Sequence, residues 1–290
     1  MKIPISPLHL LGERKIRDLF PDNPPAGPLE ASGVLARNGK FFVVFDNRTD
    51  VARLSDHLSP DQMNGLFGMA RGREGFEGIT YNPYAGKFYL LIESRKTKGG
   101  QYQPEIFEYD ESLAYFAHRP IDFTFASENK GFEAVAYIRR QKRDYVVALC
   151  EGNRCQGGKA GKKPGGGRVQ VFELKERLWS HVGTIKLPKS VKFTDYSAMA
   201  IDADRVAVVS QENAMLWIGV FEERQWDWRD QGSTYMFPRR EDGEILYGNV
   251  EGVSWISQNR IVAVSDRMKD SQAAHIADKD QSIHIFEIPG

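Results

Sequence analysis

The sequence predicts an all-β protein assembled from five repeats. Each repeat opens with an apolar or small residue, then Ser or Glu, then Gly or Ala, then an aliphatic residue. The five copies are Ala31-Ser32-Gly33-Val34, Phe76-Glu77-Gly78-Ile79, Phe132-Glu133-Ala134-Val135, Tyr196-Ser197-Ala198-Met199 and Val250-Glu251-Gly252-Val253. Successive copies stand roughly 45 to 65 residues apart, in or near the spacing of β-propeller blades that carry loop insertions. The pattern therefore indicates one propeller blade per copy.

The residues after each copy have the composition of the remaining strands of a blade. An apolar run follows each copy after a short turn, and it is rich in β-branched and aromatic residues, as strands are. Because these runs are continuously apolar, both of their faces should be covered. Second strands are predicted at residues 40–45, 88–92, 145–149, 206–209 and 261–264. Third strands are predicted at residues 105–109, 168–174, 215–222 and 282–288, and outer strands at residues 115–123, 179–187 and 225–237.

The two ends of the chain are predicted to meet in the fifth blade. The fifth repeat ends at Gly290, directly after its third strand, and residues 14–20 precede the first repeat with no sheet of their own. Pairing residues 15–20 beside residues 282–288 completes the blade and removes the exposed sheet edges. The prediction is a single domain of residues 1–290, a five-bladed β-propeller with four antiparallel strands per blade, closed by an N-terminal strand. A six-bladed ring is the alternative.

Composition and charge narrow the function classes. The chain has 39 Lys and Arg against 39 Asp and Glu, so its formal net charge is zero. That balance argues against a nucleic-acid or membrane-surface protein, which usually carries a basic excess. The first seven residues include two prolines, where a signal peptide needs an uninterrupted apolar stretch. We expect a cytoplasmic protein. Cys150 and Cys155 have neither zinc-ligand nor redox-motif spacing, so we expect both to be reduced.

Polar residues are predicted to converge at one end of the central channel. The inner strand of a blade begins at the end where the second strand finishes, and we call this end the mouth. An inner ring of Ser32, Glu77, Glu133, Ser197 and Glu251 stands at the starts of the inner strands. An outer ring of Asp46, Glu93, Glu151, Glu212 and Asp266 stands at the ends of the second strands. The mouth loops are the longer ones, which is typical of a site on a rigid scaffold.

The inner ring predicts a calcium site. Three carboxylates near one axis repel one another and are costly to desolvate, and a hard cation removes that cost. Calcium accepts roughly six to eight oxygen ligands in loose geometry, whereas magnesium demands a stricter octahedron. The alternative is a metal-free ring in which these residues are hydrogen-bonded or paired with Arg48, Arg95 or Arg267.

The ring order of Ser32, Glu77, Glu133, Ser197 and Glu251 resembles the central calcium site of the calcium-activated nucleotidases, the soluble apyrases. The motif Val250-Glu251-Gly252-Val253 is similar to their last-blade motif. The resemblance covers the five anchor positions and the blade layout. It implies a five-bladed propeller that binds calcium and hydrolyses nucleoside diphosphates and triphosphates. The repeat is also similar to that of the phytase-like and lactonase-like propellers.

Three functions follow as hypotheses. The first is a metal-dependent hydrolase of phosphoanhydrides or phosphoesters, in which the outer-ring carboxylates serve as general base or second-shell ligands. In that hypothesis Arg48, Arg95, Arg154 and Arg267 grip the phosphates of an anionic small-molecule substrate. The second is a non-enzymatic ligand- or protein-binding propeller with a structural calcium, and the third is a lactonase-type hydrolase. The Gly- and Lys-rich stretch at residues 157–167 is either a flexible linker or a basic lid over the mouth.

Overall fold

The strands form five sheets arranged as the blades of a propeller. The computed structural model describes residues 5–22, 24–68, 75–126 and 131–290. Within those residues, each sheet contains an antiparallel meander of inner, second, third and outer strands. The inner strands are Ala31–Arg37, Phe76–Asn82, Phe132–Arg140, Ala198–Asp202 and Val250–Ser257. The second strands are Lys40–Phe45, Lys87–Lys96, Arg143–Cys150, Arg205–Ser210 and Arg260–Ser265.

The outer half of each blade completes the meander. The third strands are Val51–Ser55, Tyr102–Tyr109, Arg168–Lys175, Met215–Val220 and Ser282–Glu287. The outer strands of the first four blades are Gly65–Phe67, Tyr115–Pro120, Leu178–Lys186 and Ser233–Met236. The helical segments are short: Ile16–Leu19, Asn153–Cys155 and Ala274–Asp278 are 3-10 turns, and Gly158–Gly161 is a single α-turn. No helix in these described ranges is long and apolar enough to cross a membrane.

The five inner strands close into a ring. Each inner strand contacts the inner strands of the blades before and after it, and the fifth contacts the first. The predicted five-bladed propeller is therefore confirmed. The contact is tight at the third position of the repeat: a Cβ on Gly33 would lie 2.9 Å from the Cα of Gly78, and one on Gly252 would lie 2.9 Å from the Cα of Gly33. This close approach is the reason that the repeat carries Gly or Ala there.

The core consists of five apolar layers, one between each pair of neighbouring blades. Alternate residues of one second strand serve two layers, because successive side chains of a strand point to opposite faces. In blade 4, Val206 and Val208 face the layer shared with blade 3, and Ala207 and Val209 face the layer shared with blade 5. Continuous apolarity in the second strands thus has the predicted cause.

The N-terminal segment closes the fifth blade as predicted, but it does so through residues 9–15 and not through the predicted residues 15–20. His9–Lys15 pairs antiparallel with Ser282–Glu287, in a register that sets Lys15 opposite Ser282. Residues 16–19 instead form a 3-10 turn that buries Ile16 and Leu19 completely. Their spacing of three residues places both side chains on one side of such a turn. A further strand, Ser6–Pro7, pairs in parallel with Ser233–Met236, so the N-terminal segment joins blades 4 and 5.

The two cysteines form a disulfide, and the expectation of reduced thiols was wrong. After the second strand of blade 3, the chain reverses through Asn153–Cys155, where Arg154 and Cys155 have φ values of 60° and 56°. This tight reversal brings the Cα atoms of Cys150 and Cys155 to 5.1 Å. Sequence spacing alone does not show such a turn.

Candidate functional site

The ring residues stand at β-bulges. In blade 1, Ala31 is opposite Phe45 and Gly33 is opposite Val44, so Ser32 is the extra, unpaired residue. The same shift in register isolates Glu77, Glu133 and Glu251 in their blades. A bulge redirects the side chain of its extra residue. In blade 4 the inner strand begins one residue after Ser197.

Four of the five ring residues line one small cavity on the axis of the propeller. Ser32, Glu77, Glu133 and Glu251 contribute to its wall, and Ala198 takes part in blade 4 rather than Ser197. The volume open to the centre of a water-sized sphere is about 10 Å³. That volume accommodates roughly one water molecule. The axial cavity therefore has room for one ion or water, and a nucleotide would have to bind outside it, at the mouth.

The two ring serines connect neighbouring blades. The Ser32 hydroxyl donates to the carbonyl of Phe76, the residue before Glu77. The Ser197 hydroxyl donates to the carbonyl of Val250, the residue before Glu251, at 2.7 Å. Each serine thus fixes the bulge of the next glutamate, and its oxygen lone pairs remain able to accept.

Carboxylates crowd this end of the channel. Burial, with repulsion from Asp266 and Glu30, raises the pKa of Asp46 to about 7. Burial is also the main cause that raises the pKa of Asp266 to about 6, with Glu30 adding to it. The pKa of Glu251 lies well above its ordinary range, through burial and the charges of Asp266, Glu133 and Asp46. These carboxyl groups form one electrostatic cluster, as the two polar rings predicted.

Two basic side chains approach this cluster from its solvent side. Lys269 Nζ lies 3.9 Å from Glu251 Oε1, and Arg267 Nη1 lies 3.8 Å from Glu30 Oε1. Their side chains are 57% and 55% exposed, so they remain largely hydrated. At such distances and exposures an ion pair contributes little. The cluster consequently has more carboxyl groups than basic side chains beside it.

The donor set at the mouth fits a hard cation. Asp46 Oδ1, Asn47 Oδ1 and Gln211 Oε1 are buried oxygens that have no hydrogen-bond partner in the described structure. An unpaired buried acceptor costs free energy, which a proton or a cation relieves. All of the candidate donors are oxygen atoms, the ligands that calcium prefers. Among residues 5–22, 24–68, 75–126 and 131–290, however, no three His, Cys, Asp or Glu side chains are already arranged to hold a metal ion.

A second charged group occupies the blade 3 and blade 4 side of the mouth. Glu212 accepts from Lys162 Nζ at 2.7 Å and from the Thr194 hydroxyl at 3.1 Å, and the Lys162 contact is the main cause that lowers its pKa. Burial raises the pKa of Asp195, and Glu151 and Glu212 add to that rise. Lys162 comes from the Gly- and Lys-rich stretch, so this loop reaches the mouth.

The Gly- and Lys-rich loop is folded around Asn153. Its amide donates to the carbonyl of Gly161 at 2.8 Å and to that of Phe193 at 3.1 Å, and its oxygen accepts from the amide of Gly166 at 2.7 Å. A Cβ on Gly161 would meet the carbonyl oxygen of Gln156 at 2.0 Å. The flexible-linker interpretation was therefore wrong, because the glycines permit tight packing in this loop.

The predicted phosphate-binding arginines are dispersed. Arg48 makes two 2.9 Å contacts with Asp50, and Arg95 lies 3.7 Å from Glu105. Arg154 projects from the disulfide-closed turn and is exposed. Arg267 lies 3.8 Å from Glu30, a carboxylate of the cluster described above. Glu93 lies within the second strand of blade 2, and its side chain is outside the described residues.

Two carboxylates that the sequence analysis missed complete the mouth. Glu30 and Asp195 each precede a ring serine by two residues, whereas Gly75, Gly131 and Asn249 hold that position before the ring glutamates. The two blades with Ser in the inner ring therefore carry an acid two residues earlier. The backbone places it at the mouth, since the Asp46 amide donates to the carbonyl of Glu30 at 3.0 Å. Extending the repeat by two residues would have revealed this signal.

No protein-family model and no curated protein matches the chain. Among solved structures, glutaminyl cyclase from Myxococcus xanthus is similar, with 10% identity, 99% of this chain and 100% of that chain covered, and a TM-score of 0.56. PQQ-bound aldose sugar dehydrogenase from Streptomyces coelicolor shows 12% identity, coverage of 95% and 98%, and a TM-score of 0.52. RS223 β-xylosidase shows 10% identity, coverage of 90% and 92%, and a TM-score of 0.52. These likenesses show the propeller fold alone, and the nucleotidase family is not established by them.

Proposed function

We propose that the protein is a calcium-binding propeller that hydrolyses a phosphate-containing small molecule at the channel mouth. The observation that carries this proposal is the axial cavity: it has the size of one ion, and Glu77, Glu133 and Glu251 line it. The raised pKa of Glu251 supports it, because a buried carboxyl cluster without a cation is costly when ionised.

The bound ion would be held by the three ring glutamates, with Ser32 contributing through its hydroxyl oxygen. Ser197 does not line the cavity and would act through its hydrogen bond to the Val250 carbonyl, next to Glu251. Bound calcium would supply charge stabilisation at the phosphoryl oxygens and orient a water molecule. The cavity is too small for a substrate, so the substrate phosphate would lie on its mouth side. There Arg267 and Lys269, both largely exposed, are able to contact an anion.

Asp46 is the carboxyl group best placed to move a proton. Its Oδ1 is buried without a partner in the described structure, and in the protein without a bound ion burial raises its pKa to about 7, which favours proton uptake by this carboxyl. Asp266, whose Oδ1 accepts from the Arg267 amide, would hold Arg267 and repel Asp46. Glu212 is a weaker candidate because Lys162 neutralises it.

One observation favours the lactonase-type alternative. Phosphate recognition usually employs bidentate arginine, and Arg48 and Arg95 are already paired with Asp50 and Glu105. An uncharged lactone would not need them. The same axial ion and the same Asp46 would serve either reaction.

A substrate screen tests the proposal. Phosphate release is measured from nucleoside diphosphates and triphosphates, sugar phosphates and inositol phosphates, beside a panel of lactones, in calcium and in chelator. We expect calcium-dependent turnover that Asp46→Asn lowers at least tenfold. The matched control is Asp56→Asn, a carboxyl beside the turn at the opposite end of blade 1.

The outcomes separate the three functions. Activity on lactones alone transfers the assignment to the lactonase type. Absence of activity on both panels, in folded protein that binds calcium, would indicate a binding propeller with a structural ion. Turnover that survives in chelator would contradict a role for the ion in the reaction.

A further inference from the structure

A pocket lies beside the mouth between blades 4 and 5. It is bounded by Gln211 and Glu212 after the second strand of blade 4, by Ile245 before blade 5, and by His275 and Ile276 in the long loop of blade 5. Its volume is about 330 Å³, within the roughly 300–1,000 Å³ range of small-molecule sites. Because Glu212 belongs both to this wall and to the charged group of the mouth, the pocket is continuous with the candidate site.

Apart from Gln211 Oε1, the buried polar groups of the wall are paired within the protein. Gln272 and Asn249 exchange two amide hydrogen bonds, each 2.8 Å long. The His275 Nε2–H donates to the carbonyl of Ile245 at 2.9 Å, and Glu212 is paired with Lys162. These contacts leave the apolar surface of the wall to face an incoming group.

The charges of the wall exclude an anion. Its carboxylates are Glu212, which pairs with Lys162, and the more exposed Glu244, whose Oε2 lies 3.6 Å from His275 Nδ1. Among the described residues that line the pocket there is no Lys or Arg. A phosphate or carboxylate would meet the carboxylate of Glu244 with no Lys or Arg in the described lining, so an anionic group would stay over the axial cavity, near Arg267 and Lys269.

We propose that this pocket binds the uncharged, apolar organic group of the substrate, such as an alkyl chain or an unsubstituted ring. The inference rests on the proposed function only for the location of the reacting group at the mouth. Ile245, Ile276 and Ala273 provide the apolar contacts. The substrate class is thereby narrowed to phosphate esters or, in the alternative, lactones with an apolar substituent, and sugar phosphates and nucleotides become poor substrates.

Binding of a homologous alcohol series tests the pocket without turnover. Calcium-free protein is titrated with 1-butanol, 1-pentanol and 1-hexanol, with glucose as the polar comparison, and binding is followed by saturation-transfer NMR. Each added methylene should tighten binding about threefold to fourfold, as expected for burial of a CH₂ group. Glucose should bind more weakly than any of the alcohols.

Two matched variants locate the binding. Ala273 is an exposed residue of the pocket wall, and Ala273→Phe should fill the pocket and weaken 1-hexanol at least tenfold. Ala85 is an exposed residue of a turn at the opposite end of blade 2, and Ala85→Phe should leave binding unchanged. Equal loss in both variants, no dependence on chain length, or no alcohol binding would overturn the inference.

An activity comparison separates this inference from the proposed function. Phenyl phosphate should be a better substrate than glucose 6-phosphate, and Ala273→Phe should lower kcat/KM for phenyl phosphate. Turnover in which glucose 6-phosphate is preferred would retain the hydrolase and reject the pocket. Alcohol binding that Ala273→Phe abolishes, together with no hydrolysis of either phosphate, would retain the pocket and reject the hydrolase.

Discussion

Asp266→Asn should change how the stability of the calcium-free protein depends on pH. The side chain is 9% exposed, and burial raises its pKa to about 6 from an ordinary 3.8. Below about pH 3 the carboxyl is neutral in both the folded and unfolded states and costs nothing. As the pH rises toward 6, the unfolded chain releases the proton while the fold retains it, so stability falls. Above pH 6 the full cost is present.

The size of the effect follows from that difference in pKa. One pKa unit corresponds to about 1.4 kcal/mol, so the ionised Asp266 costs the fold about 3 kcal/mol at pH 7.5. At pH 4.5 the cost is about 1 kcal/mol, because the group is still mostly protonated in the fold. The wild type should thus lose about 2 kcal/mol between these pH values through this one group. In a chain of this size that corresponds to about 4 °C in Tm.

The assay compares the wild type with Asp266→Asn. The asparagine keeps an oxygen for the Arg267 amide, and its NH₂ group can donate to the surrounding carboxylates. Tm is measured by scanning calorimetry in chelator at pH 4.5 and pH 7.5. Burial lowers the pKa of His284, and the contacts of Glu13 with His284 and Lys279 lower the pKa of Glu13. Both groups therefore lower the stability of the fold as the pH falls, which is the opposite of the effect of Asp266. They are present in both proteins, so only the difference between the two pH profiles is interpreted.

The stability of Asp266→Asn relative to the wild type should be about 2 kcal/mol greater at pH 7.5 than at pH 4.5. Calcium should remove much of this advantage, since a cation stabilises the ionised cluster of the wild type. Parallel pH profiles for the two proteins would refute the conclusion that Asp266 is held in a costly buried cluster.

Three further predictions concern the ring and its surroundings. Gly252→Ala places a methyl group 2.9 Å from the backbone of the neighbouring inner strand, so it should lower the free energy of unfolding by about 3 kcal/mol in denaturant titration. The control is Gly183→Ala, which has nothing within 4 Å of the added methyl group and should be near neutral. Equal effects of the two substitutions would contradict the close approach of the inner strands. Ser197→Ala removes the hydrogen bond to the Val250 carbonyl and should lower the free energy of unfolding by about 1 kcal/mol, measured by the same method. An unchanged denaturation midpoint would show that this hydrogen bond does not stabilise the fold. Reduction of Cys150–Cys155 should lower stability by about 2 kcal/mol, whereas a Cys155→Ser variant should not respond to the reductant.

The blade layout could be predicted because it depends on local sequence. The repeat marks the inner strand, and the Gly or Ala within it is required where inner strands touch, as at Gly33 and Gly78. The closing strand was misplaced because residues 15–20 and 9–15 are both short and mixed in polarity. Only the packing of Ile16 and Leu19 into the core decides between them.

The site could be predicted only in part. The ring of Ser and Glu residues could be predicted from the repeat, and four of those five residues line the axial cavity. The partners of the arginines could not be predicted, because they depend on local geometry. The Arg48 guanidinium, for example, donates to Asp50, which lies two residues away in the chain. The disulfide likewise depends on a chain reversal that has no signature in the spacing of its cysteines.

Calorimetric titration of calcium into chelator-stripped protein tests the central claim most directly. We expect one calcium ion per chain, bound by the folded protein and accompanied by a rise in Tm. Glu133→Gln and Glu251→Gln should each abolish both the binding heat and the rise in Tm, while Glu111→Gln, an exposed carboxyl paired with Arg37, should change neither. Absence of binding heat in the wild type, together with no metal by elemental analysis of the purified protein, would contradict the axial calcium site.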